Sequence, residues 1–365
     1  MKKASGFMDD MAEPLRRYYL AKLPLLRRSI ALFYRQPAAK WMDILGLGLA
    51  SRRDGRAFAS VSIEPFESYL ARDGKYLRSL LTCMVLESYG RCVTDFLPLI
   101  GMMEVLESST ILIDDFIDNS PFRRGGPSAH LIYGLERAAV SAHTVYYASW
   151  NLFSGKFLPI TRRMETEALN WLTRGHLRTC LGQMEELEFM RRRRPLSLLD
   201  YSNSVRNHIS TLSFAGPLYL PALACGASRR ELALVEELGE MMGLAYHLHG
   251  DELNLFPPSG GIGKMKGDDI VGGIMTYLIS SAVRLSQPRE KRELLGILGD
   301  KAVGKREINR AVRLIDGSGA RIVNRRAINR FLKKAFENIS RLPFAPACKD
   351  RLRECLLFMG RDRKI

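Results

Sequence analysis

The feature that most constrains the fold of this chain is the spacing of its apolar residues. In the stretches 77–90, 100–118, 234–256 and 325–342, apolar residues recur every three or four positions. This spacing is the period of one face of an α-helix. We find neither the alternation typical of strands nor an internal repeat. The sequence therefore predicts an all-α fold, with residues 1–60 as a helical N-terminal extension of one domain at 61–365.

Composition narrows the class of protein. Hydrophobic residues make up 46% and charged residues 26% of the 365 positions, as is typical of globular proteins. No segment reaches the roughly 18 uninterrupted apolar residues of a membrane span, and the N-terminus lacks the apolar run of a secretion signal. The six cysteines form no CxxC pair, which is typical of reduced cysteines in the cytoplasm. We therefore expect a soluble, cytoplasmic protein.

The net charge of +16 indicates an anionic partner. A phosphate-bearing substrate, an anionic membrane surface and a nucleic acid all satisfy this balance. The run RRRR at 191–194 is interpreted as a solvated helix end, with peripheral membrane contact as an open alternative. Because no aromatic residues are interleaved with it, a nucleic-acid partner is not expected.

A cluster of acids ends one of the most apolar helical stretches. Asp114 and Asp118 are one helical turn apart, so they share a face, with Asp115 beside them. Carboxylates in this arrangement suit Mg²⁺, whose coordination is completed by water and phosphate oxygens. Arg123 and Arg124 follow closely and would bind an anion. The alternative is a helix end with ordinary surface acids, since the DDxxD pattern is short.

Further motifs carry a family resemblance. The segments DGKYLRS (73–79), DDFIDNSPFRRGGPSAH (114–130), LGQMEE (181–186), YHLHGDELNLF (246–256) and GKMKGDDIVGGIMT (263–276) occur in this order. As a set, over roughly residues 60–360, they resemble the trans-isoprenyl diphosphate synthases. The resemblance implies an isoprenoid-synthase-like bundle of antiparallel helices around a central apolar cavity, assembled as a homodimer.

The resemblance also implies roles for individual residues. Mg²⁺ bound at the first aspartate-rich motif holds the diphosphate of an allylic substrate, and a second aspartate-rich motif near Asp251 contributes a further metal ligand. The implied catalytic residues are Asp114, Asp115, Asp118 and Arg123. The implied metal ligands are Asp114, Asp115, Asp118 and Asp251. The implied substrate-binding residues are Lys75, Arg78, Arg124, Gln183, His208 and Lys264, and the first three of them bind isopentenyl diphosphate.

The resemblance also points to the wall of the cavity, where residues one and two turns before the first aspartate set its depth. In this chain they are Met103, Leu106, Ser109 and Thr110. The two positions nearest the aspartates are small, so a ten-carbon product is not expected. The length of the product, or any cyclic skeleton, is left open.

Four departures from the family pattern affect both diphosphate sites. Glu107 stands where the family commonly has a histidine that helps to bind isopentenyl diphosphate, and its carboxylate would repel that substrate. The second motif begins with Gly250 instead of an aspartate. Gly273 replaces a lysine, and His208 with Ile209 replaces a Lys-Thr pair.

Three functions remain compatible with these residues. The first is an Mg²⁺-dependent prenyltransferase that condenses an allylic diphosphate with isopentenyl diphosphate, as the basic residues at 75, 78, 123 and 124 favour. The second is a terpene cyclase that ionises one prenyl diphosphate, as Glu107 and Gly273 favour. The third is a non-catalytic partner subunit, which the intact first motif disfavours.

Overall fold

The computed structural model of the protein describes residues 7–33, 41, 55, 58–72, 74–192, 194–257 and 267–364. Helices dominate this part of the chain. Its strands form one two-stranded antiparallel hairpin, β1 (Phe122–Arg123) and β2 (Gly126–Pro127). The all-α prediction is confirmed.

The helices of the first half are α1 (Glu13–Ala31), α2 (Glu64–Leu70), α3 (Leu77–Ser88), α4 (Leu97–Ile117), α5 (Ala129–Tyr133), α6 (Leu135–Trp150) and α7 (Arg162–Arg192). Those of the second half are α8 (Leu198–Val205), α9 (Gly216–Ala224), α10 (Arg229–Leu255), α11 (Asp268–Gly272), α12 (Tyr277–Leu285), α13 (Pro288–Ile297), α14 (Lys305–Gly317), α15 (Ala320–Arg341) and α16 (Pro346–Leu357). Three π-helical segments occupy Ala59–Ile63, Arg206–Ala215 and Phe358–Asp362, and a 3₁₀ turn occupies Val93–Phe96.

The chain divides into two compact units. Unit 1 comprises Glu13–Thr173 and Gly216–Leu232, and unit 2 comprises Arg174–Ala215 and Ala233–Ile365 together with residues 7–12. The predicted division at residue 60 does not coincide with a boundary between these units. Helix α1, in the predicted extension, packs on α3 and α4 within unit 1.

Helix α4 is the core of unit 1. Its first two turns and its middle are buried, and α1, α3 and α6 pack around it. A Cβ atom added at Gly101 would lie only 2.6 Å from the carbonyl oxygen of Ser29, so glycine permits the close approach of α1. The stretch Val93–Ile117 is apolar and long enough to cross a membrane, yet 72% of its most apolar window is buried inside the protein. Such burial is typical of the core helix of a soluble protein.

Helix α10 has a similar place within unit 2. Added Cβ atoms at Gly239 and Gly243 would lie 2.3 Å from Cα of Ala215 and 2.6 Å from Cβ of Ser210. These two glycines therefore let the helix approach the backbone of the π-helical segment 206–215. Helix α15 packs against α12, α14 and α16 in the same unit.

Candidate active site

The first aspartate-rich motif lies at the C-terminal end of α4. Asp114 is half-buried in the last turn, and the exposed Asp118 caps the helix, its N–H donating to the carbonyl of Asp114 at 2.8 Å. Acids are disfavoured at this end of a helix, because the helix dipole places partial negative charge there. Three acids at the C-terminal end of α4 go against this preference, and such locally unfavourable residues in proteins are typical of functional sites.

Asp115 has a different environment from its two neighbours. It is only 1% exposed, and its Oδ1 accepts from Nε of Arg123 at 2.7 Å and lies 2.6 Å from Nη2 of the same guanidinium. Burial raises the pKa of Asp115, and the Arg123 pair opposes that shift. Oδ2 of Asp115 is buried and accepts no hydrogen bond from the described residues. Asp115 and Arg123, predicted as metal ligand and diphosphate ligand, therefore bind each other in the structure.

A tight hairpin holds both arginines of the motif. Its strands pair Arg123 with Gly126, and the turn residues Arg124 and Gly125 both have positive φ, 47° and 77°. Two positive φ values are the mark of the turns whose twist suits two-residue hairpins. Nη1 of Arg72 donates to the carbonyl oxygen of Arg123 at 2.8 Å. The Arg72 side chain therefore fixes the hairpin against the residues that follow α2.

The Arg124 guanidinium is placed by an aromatic ring and by backbone. It lies over the ring of the buried Tyr69, 4.4 Å from the centroid, and its Nη1 donates to the carbonyl oxygen of Arg72 at 3.3 Å. A Cβ atom added at Gly74 would lie 3.3 Å from this guanidinium. Lys75, the next residue, is half-buried in the segment that leads into α3. The predicted basic residues of unit 1 therefore lie close together.

Buried acids accompany this basic cluster. Nη2 of Arg78 lies 2.5 Å from Oε1 of Glu107, and both side chains are largely buried. Glu104, one turn earlier on α4, is fully buried and its Oε1 accepts from the Ser79 N–H at 3.4 Å. Burial raises the pKa of Glu104, while the charges of Arg78 and Arg124 act in the opposite direction. Glu107 is thus paired with the Arg78 guanidinium. The positive charge of Arg78 offsets the repulsion predicted between the Glu107 carboxylate and isopentenyl diphosphate.

The predicted cavity residues lie on the same helix. Met103, Leu106 and Ser109 are buried, and Thr110 is half-buried. The Ser109 hydroxyl donates to the carbonyl oxygens of Val105 and Leu106, at 3.0 and 2.8 Å. The polar atom of Ser109 is therefore satisfied within the helix, so that position presents a small, effectively apolar surface. Their contact with a substrate chain stays a prediction.

In unit 2, two predicted substrate-binding residues occur near the long helix α7. Gln183 is half-buried on that helix, and Nδ1 of His208 lies 2.9 Å from Oε2 of Glu186. A Cβ atom added at Gly182 would lie 2.3 Å from the backbone nitrogen of His208, so the π-helical segment and α7 are in close contact. Lys264 lies outside the described residues. The roles of these residues stay predictions.

The second aspartate-rich motif, residues 250–254, keeps one carboxylate at its three motif positions. Gly250 has no side chain, Asp251 Oδ2 accepts from the Tyr201 hydroxyl at 2.6 Å, and Asn254 Oδ1 accepts from the Asp269 N–H at 3.4 Å. Glu252, between them, is buried and paired with Arg321 and Arg325.

Backbone geometry explains the departure at Gly273. It caps α11 with a φ of 70°, and a Cβ atom there would lie 3.0 Å from Cα of Gly299. Lysine, which the family has at this position, is therefore strained in this conformation.

The structure contains carboxylates that suit Mg²⁺ in part. The described residues include no group of three or more His, Cys, Asp or Glu side chains arranged to hold a metal ion. Asp114 and Asp118 are hard oxygen ligands, and such a pair is compatible with Mg²⁺ because this ion commonly uses one or two carboxylates plus substrate phosphates. The predicted set of four metal ligands also contains Asp115, which is paired with Arg123, and Asp251, which accepts from Tyr201. Metal binding by these two residues stays a prediction.

Several residues near the motifs escaped the sequence analysis. They are Tyr69, Arg72 and Glu104 in unit 1, and Tyr201, Arg321, Arg325 and Arg363 in unit 2. Only Glu104 had a usable signal, because it shares a helix face with Glu107 in an otherwise apolar stretch. Tyr69 and Arg72 lie just before the motif at 73–79, but no pattern in the sequence marks them. The unit 2 residues Tyr201, Arg321, Arg325 and Arg363 are far from the second aspartate-rich motif in sequence, and only the fold brings them close.

Comparison with known proteins places this geometry in a family. The polyprenyl synthetase family model matches residues 60–315. A short chain isoprenyl diphosphate synthase of Methanothermobacter thermautotrophicus is 27% identical over 237 residues, covering 64% of this chain and 70% of the relative. A geranylfarnesyl diphosphate synthase of Aeropyrum pernix is 25% identical over 287 residues, covering 78% of this chain and 88% of the relative.

Similarity to solved structures concerns the fold. The crystal structure of polyprenyl synthase from Caulobacter crescentus CB15, complexed with calcium and isoprenyl diphosphate, superposes with a TM-score of 0.78 at 24% identity. The match covers 99% of each chain. This confirms the predicted isoprenoid-synthase-like architecture. The named relatives favour a synthase, and they favour neither the terpene cyclase nor the non-catalytic subunit. Because the family model spans well over half of its length, the chain belongs to the polyprenyl synthetase family and is a prenyltransferase.

Proposed function

We propose that this prenyltransferase joins an allylic prenyl diphosphate to isopentenyl diphosphate. In this reaction the allylic carbon–oxygen bond breaks and inorganic diphosphate leaves. The double bond of isopentenyl diphosphate forms the new carbon–carbon bond with the allylic cation, and a proton is then lost. The observation that carries the proposal is the placement, within one unit, of an acidic pair and a compact basic cluster.

Asp114 and Asp118 are the residues that would hold Mg²⁺. When bound, this ion neutralises the charge that develops on the departing diphosphate. The pair of Asp115 with Arg123 supports the same site, because the buried carboxylate fixes the orientation of the guanidinium. We assign the positive charge of Arg123 to the allylic diphosphate, since a guanidinium presents several N–H donors to phosphate oxygens.

The second diphosphate is assigned to Lys75, Arg78 and Arg124. Tyr69 and the Arg72 carbonyl hold the Arg124 side chain in place, so little conformational entropy is lost when it binds an anion. The ion pair with Glu107 partly neutralises the positive charge of Arg78. We therefore expect Arg78 to contribute less net attraction for isopentenyl diphosphate than Arg124, whose contacts here are an aromatic ring and a backbone carbonyl.

The growing prenyl chain is assigned to the face of α4 that carries Met103, Leu106 and Ser109. These side chains are buried and either apolar or internally hydrogen-bonded, so they exclude water from the cation. The small size of Ser109 is compatible with products longer than ten carbons.

We further propose that the enzyme is a cytoplasmic homodimer. Five large apolar side chains of α5 and α6 are exposed, namely Leu131, Ile132, Leu135, Val140 and Tyr147. Exposed apolar clusters of this kind are typical of protein interfaces. Light scattering of the purified protein would test this assembly, and Leu135→Glu should shift a dimer toward monomer.

The function is tested by incubating the purified protein with Mg²⁺ and a series of allylic diphosphates of ten to twenty carbons. Each reaction is run with and without isopentenyl diphosphate, and the products are separated by mass. We expect longer prenyl diphosphates only when isopentenyl diphosphate is present. Release of cyclic hydrocarbons and inorganic diphosphate from the allylic substrate alone would contradict the proposal and favour a cyclase.

A further inference from the structure

The first position of the second aspartate-rich motif is occupied by a side chain from the end of the protein. A Cβ atom added at Gly250 would lie 3.0 Å from Nη2 of Arg363. The guanidinium of Arg363 therefore fills the volume that the side chain of an aspartate would enter. Arg363 is 6% exposed, a low value for an arginine.

Two residues of α10 hold this arginine against the motif. Its guanidinium lies 3.5 Å from the centroid of the Tyr246 ring, and Nη2 donates to the Tyr246 carbonyl oxygen at 2.9 Å. The carbonyl oxygen of Arg363 lies 2.8 Å from Nε2 of His249, which acts as the donor. These contacts are made with the turn of α10 directly before the motif, so they fix the position of the arginine relative to that turn.

The rest of the C-terminal segment is anchored independently. Phe358 and Met359 are buried, and a Cβ atom at Gly360 would lie 2.9 Å from Leu332, so the segment packs closely on α15. The N-terminal segment at residues 7–11 covers it from the chain's other end. Phe7 meets Phe358 edge to face at 5.0 Å between centroids, and the N–H of Lys364 donates to Asp10 at 2.8 Å.

The other positions of the motif are also engaged by protein groups. The Tyr201 hydroxyl donates to Asp251, and the backbone N–H of Asp269 donates to the neutral amide of Asn254. The carboxylate of Glu252 lies 2.7 Å from Nη2 of Arg325 and 3.2 Å from Nη2 of Arg321. Of the two carboxylates in residues 250–254, Asp251 thus accepts from Tyr201 and Glu252 is neutralised by two arginines.

We propose that Arg363 takes the side-chain place of the first aspartate in the second motif and excludes Mg²⁺ from it. The positive charge at this motif then comes from a protein guanidinium instead of a metal ion. Arg363 thus acts on the motif through its place and its charge, and it is not a catalytic residue. The proposal rests on the proposed function for its biological meaning, because that function makes the diphosphate the anion to be held.

The test counts metal ions without relying on turnover. Protein-bound Mn²⁺ is measured by equilibrium dialysis in the presence of inorganic diphosphate, for the wild type, Asp251→Asn, Gly250→Asp and Gly250→Asp combined with Arg363→Met. Methionine keeps an unbranched apolar stem and removes the guanidinium with its charge. Gly250→Asn combined with Arg363→Met is the matched control, because it fills the same volume without a carboxylate.

We expect equal Mn²⁺ stoichiometry in the wild type, Asp251→Asn and Gly250→Asp, and one further Mn²⁺ only in Gly250→Asp with Arg363→Met. A loss of Mn²⁺ in Asp251→Asn would overturn the proposal, because the wild-type motif would then hold a metal. A gain in Gly250→Asp alone would overturn it too, as would no gain in the combined variant.

Thermal unfolding provides a second readout of the same pair. With Arg363 present, Gly250→Asp should melt at a higher temperature than Gly250→Asn, since the new carboxylate meets the guanidinium. In the Arg363→Met background this difference should vanish. An equal difference in both backgrounds would contradict the contact. These results are independent of prenyl transfer, so loss of the proposed function would leave them interpretable.

Discussion

The two aspartate-rich regions of this protein make opposite use of arginine. At the first, Arg123 binds the central Asp115, and Asp114 and Asp118 lie on either side of that residue at the end of a helix. At the second, arginines engage the motif itself, with Arg363 beside Gly250 and Arg325 on Glu252. The net charge of a motif therefore depends on the residues that contact it in the fold as much as on the residues of the motif itself.

The largest expected difference between the two regions concerns catalysis. Asp114→Asn and Asp118→Asn should each lower prenyl transfer by several orders of magnitude, because each removes a charged metal ligand from the proposed site. Asp251→Asn should cause a much smaller loss. Steady-state rates at saturating Mg²⁺ test this, with melting temperatures as the control for folding. Equal losses at all three positions would break the comparison.

A second prediction compares the arginines of the two regions through stability. Arg123→Ala leaves the buried Asp115 carboxylate without its partner and should cost about 3–5 kcal/mol. Arg325→Ala should cost about 0–1 kcal/mol, because Arg325 is largely exposed and Arg321 still pairs with Glu252. Urea unfolding of both variants measures the difference. Comparable costs would show that the two ion pairs are equally buried in solution.

A third prediction separates the two acids beneath the basic cluster. Glu107→Gln should destabilise the protein by about 1–3 kcal/mol, because it weakens the buried partner of Arg78. Glu104→Gln should instead be neutral or stabilising near pH 7. Thermal unfolding of both variants gives the sign of each effect.

The pH dependence of Glu104 sharpens this test. Burial raises its folded-state pKa above the usual 4.5, so the folded state binds a proton more tightly than the unfolded state. The contribution of Glu104 to stability is therefore greatest below pH 4.5 and falls as pH rises toward the folded-state pKa. The melting temperature of Glu104→Gln minus that of the wild type should therefore increase as the pH rises from 4.5 to 7. A constant difference over this range would contradict the assignment.

The smallest expected effect concerns the face of α4 that leads to the first motif. Ser109→Phe should shorten the prenyl product and cost about 1–3 kcal/mol through overpacking. Ser109→Ala removes the hydroxyl without adding bulk and should leave the product length unchanged. Mass analysis of products from both variants decides whether position 109 lines the cavity.

The sequence by itself determined the helical class and the first motif. The three- to four-residue apolar spacing predicts helices locally, because side chains one turn apart share a face. The same spacing aligns Asp114 with Asp118. The positive charges that follow, Arg123 and Arg124, are close enough in the chain for a short hairpin to bring them back to the helix end.

Only the tertiary structure decided how the acids are paired. Glu107 reads as a repulsive charge until the fold places Arg78 beside it, and Gly250 reads as a missing ligand until Arg363, more than a hundred residues later, fills its place. Charge pairs of this kind depend on distances of a few ångströms between distant segments. Helical periodicity carries no information about such distances, because it orders residues only along one element.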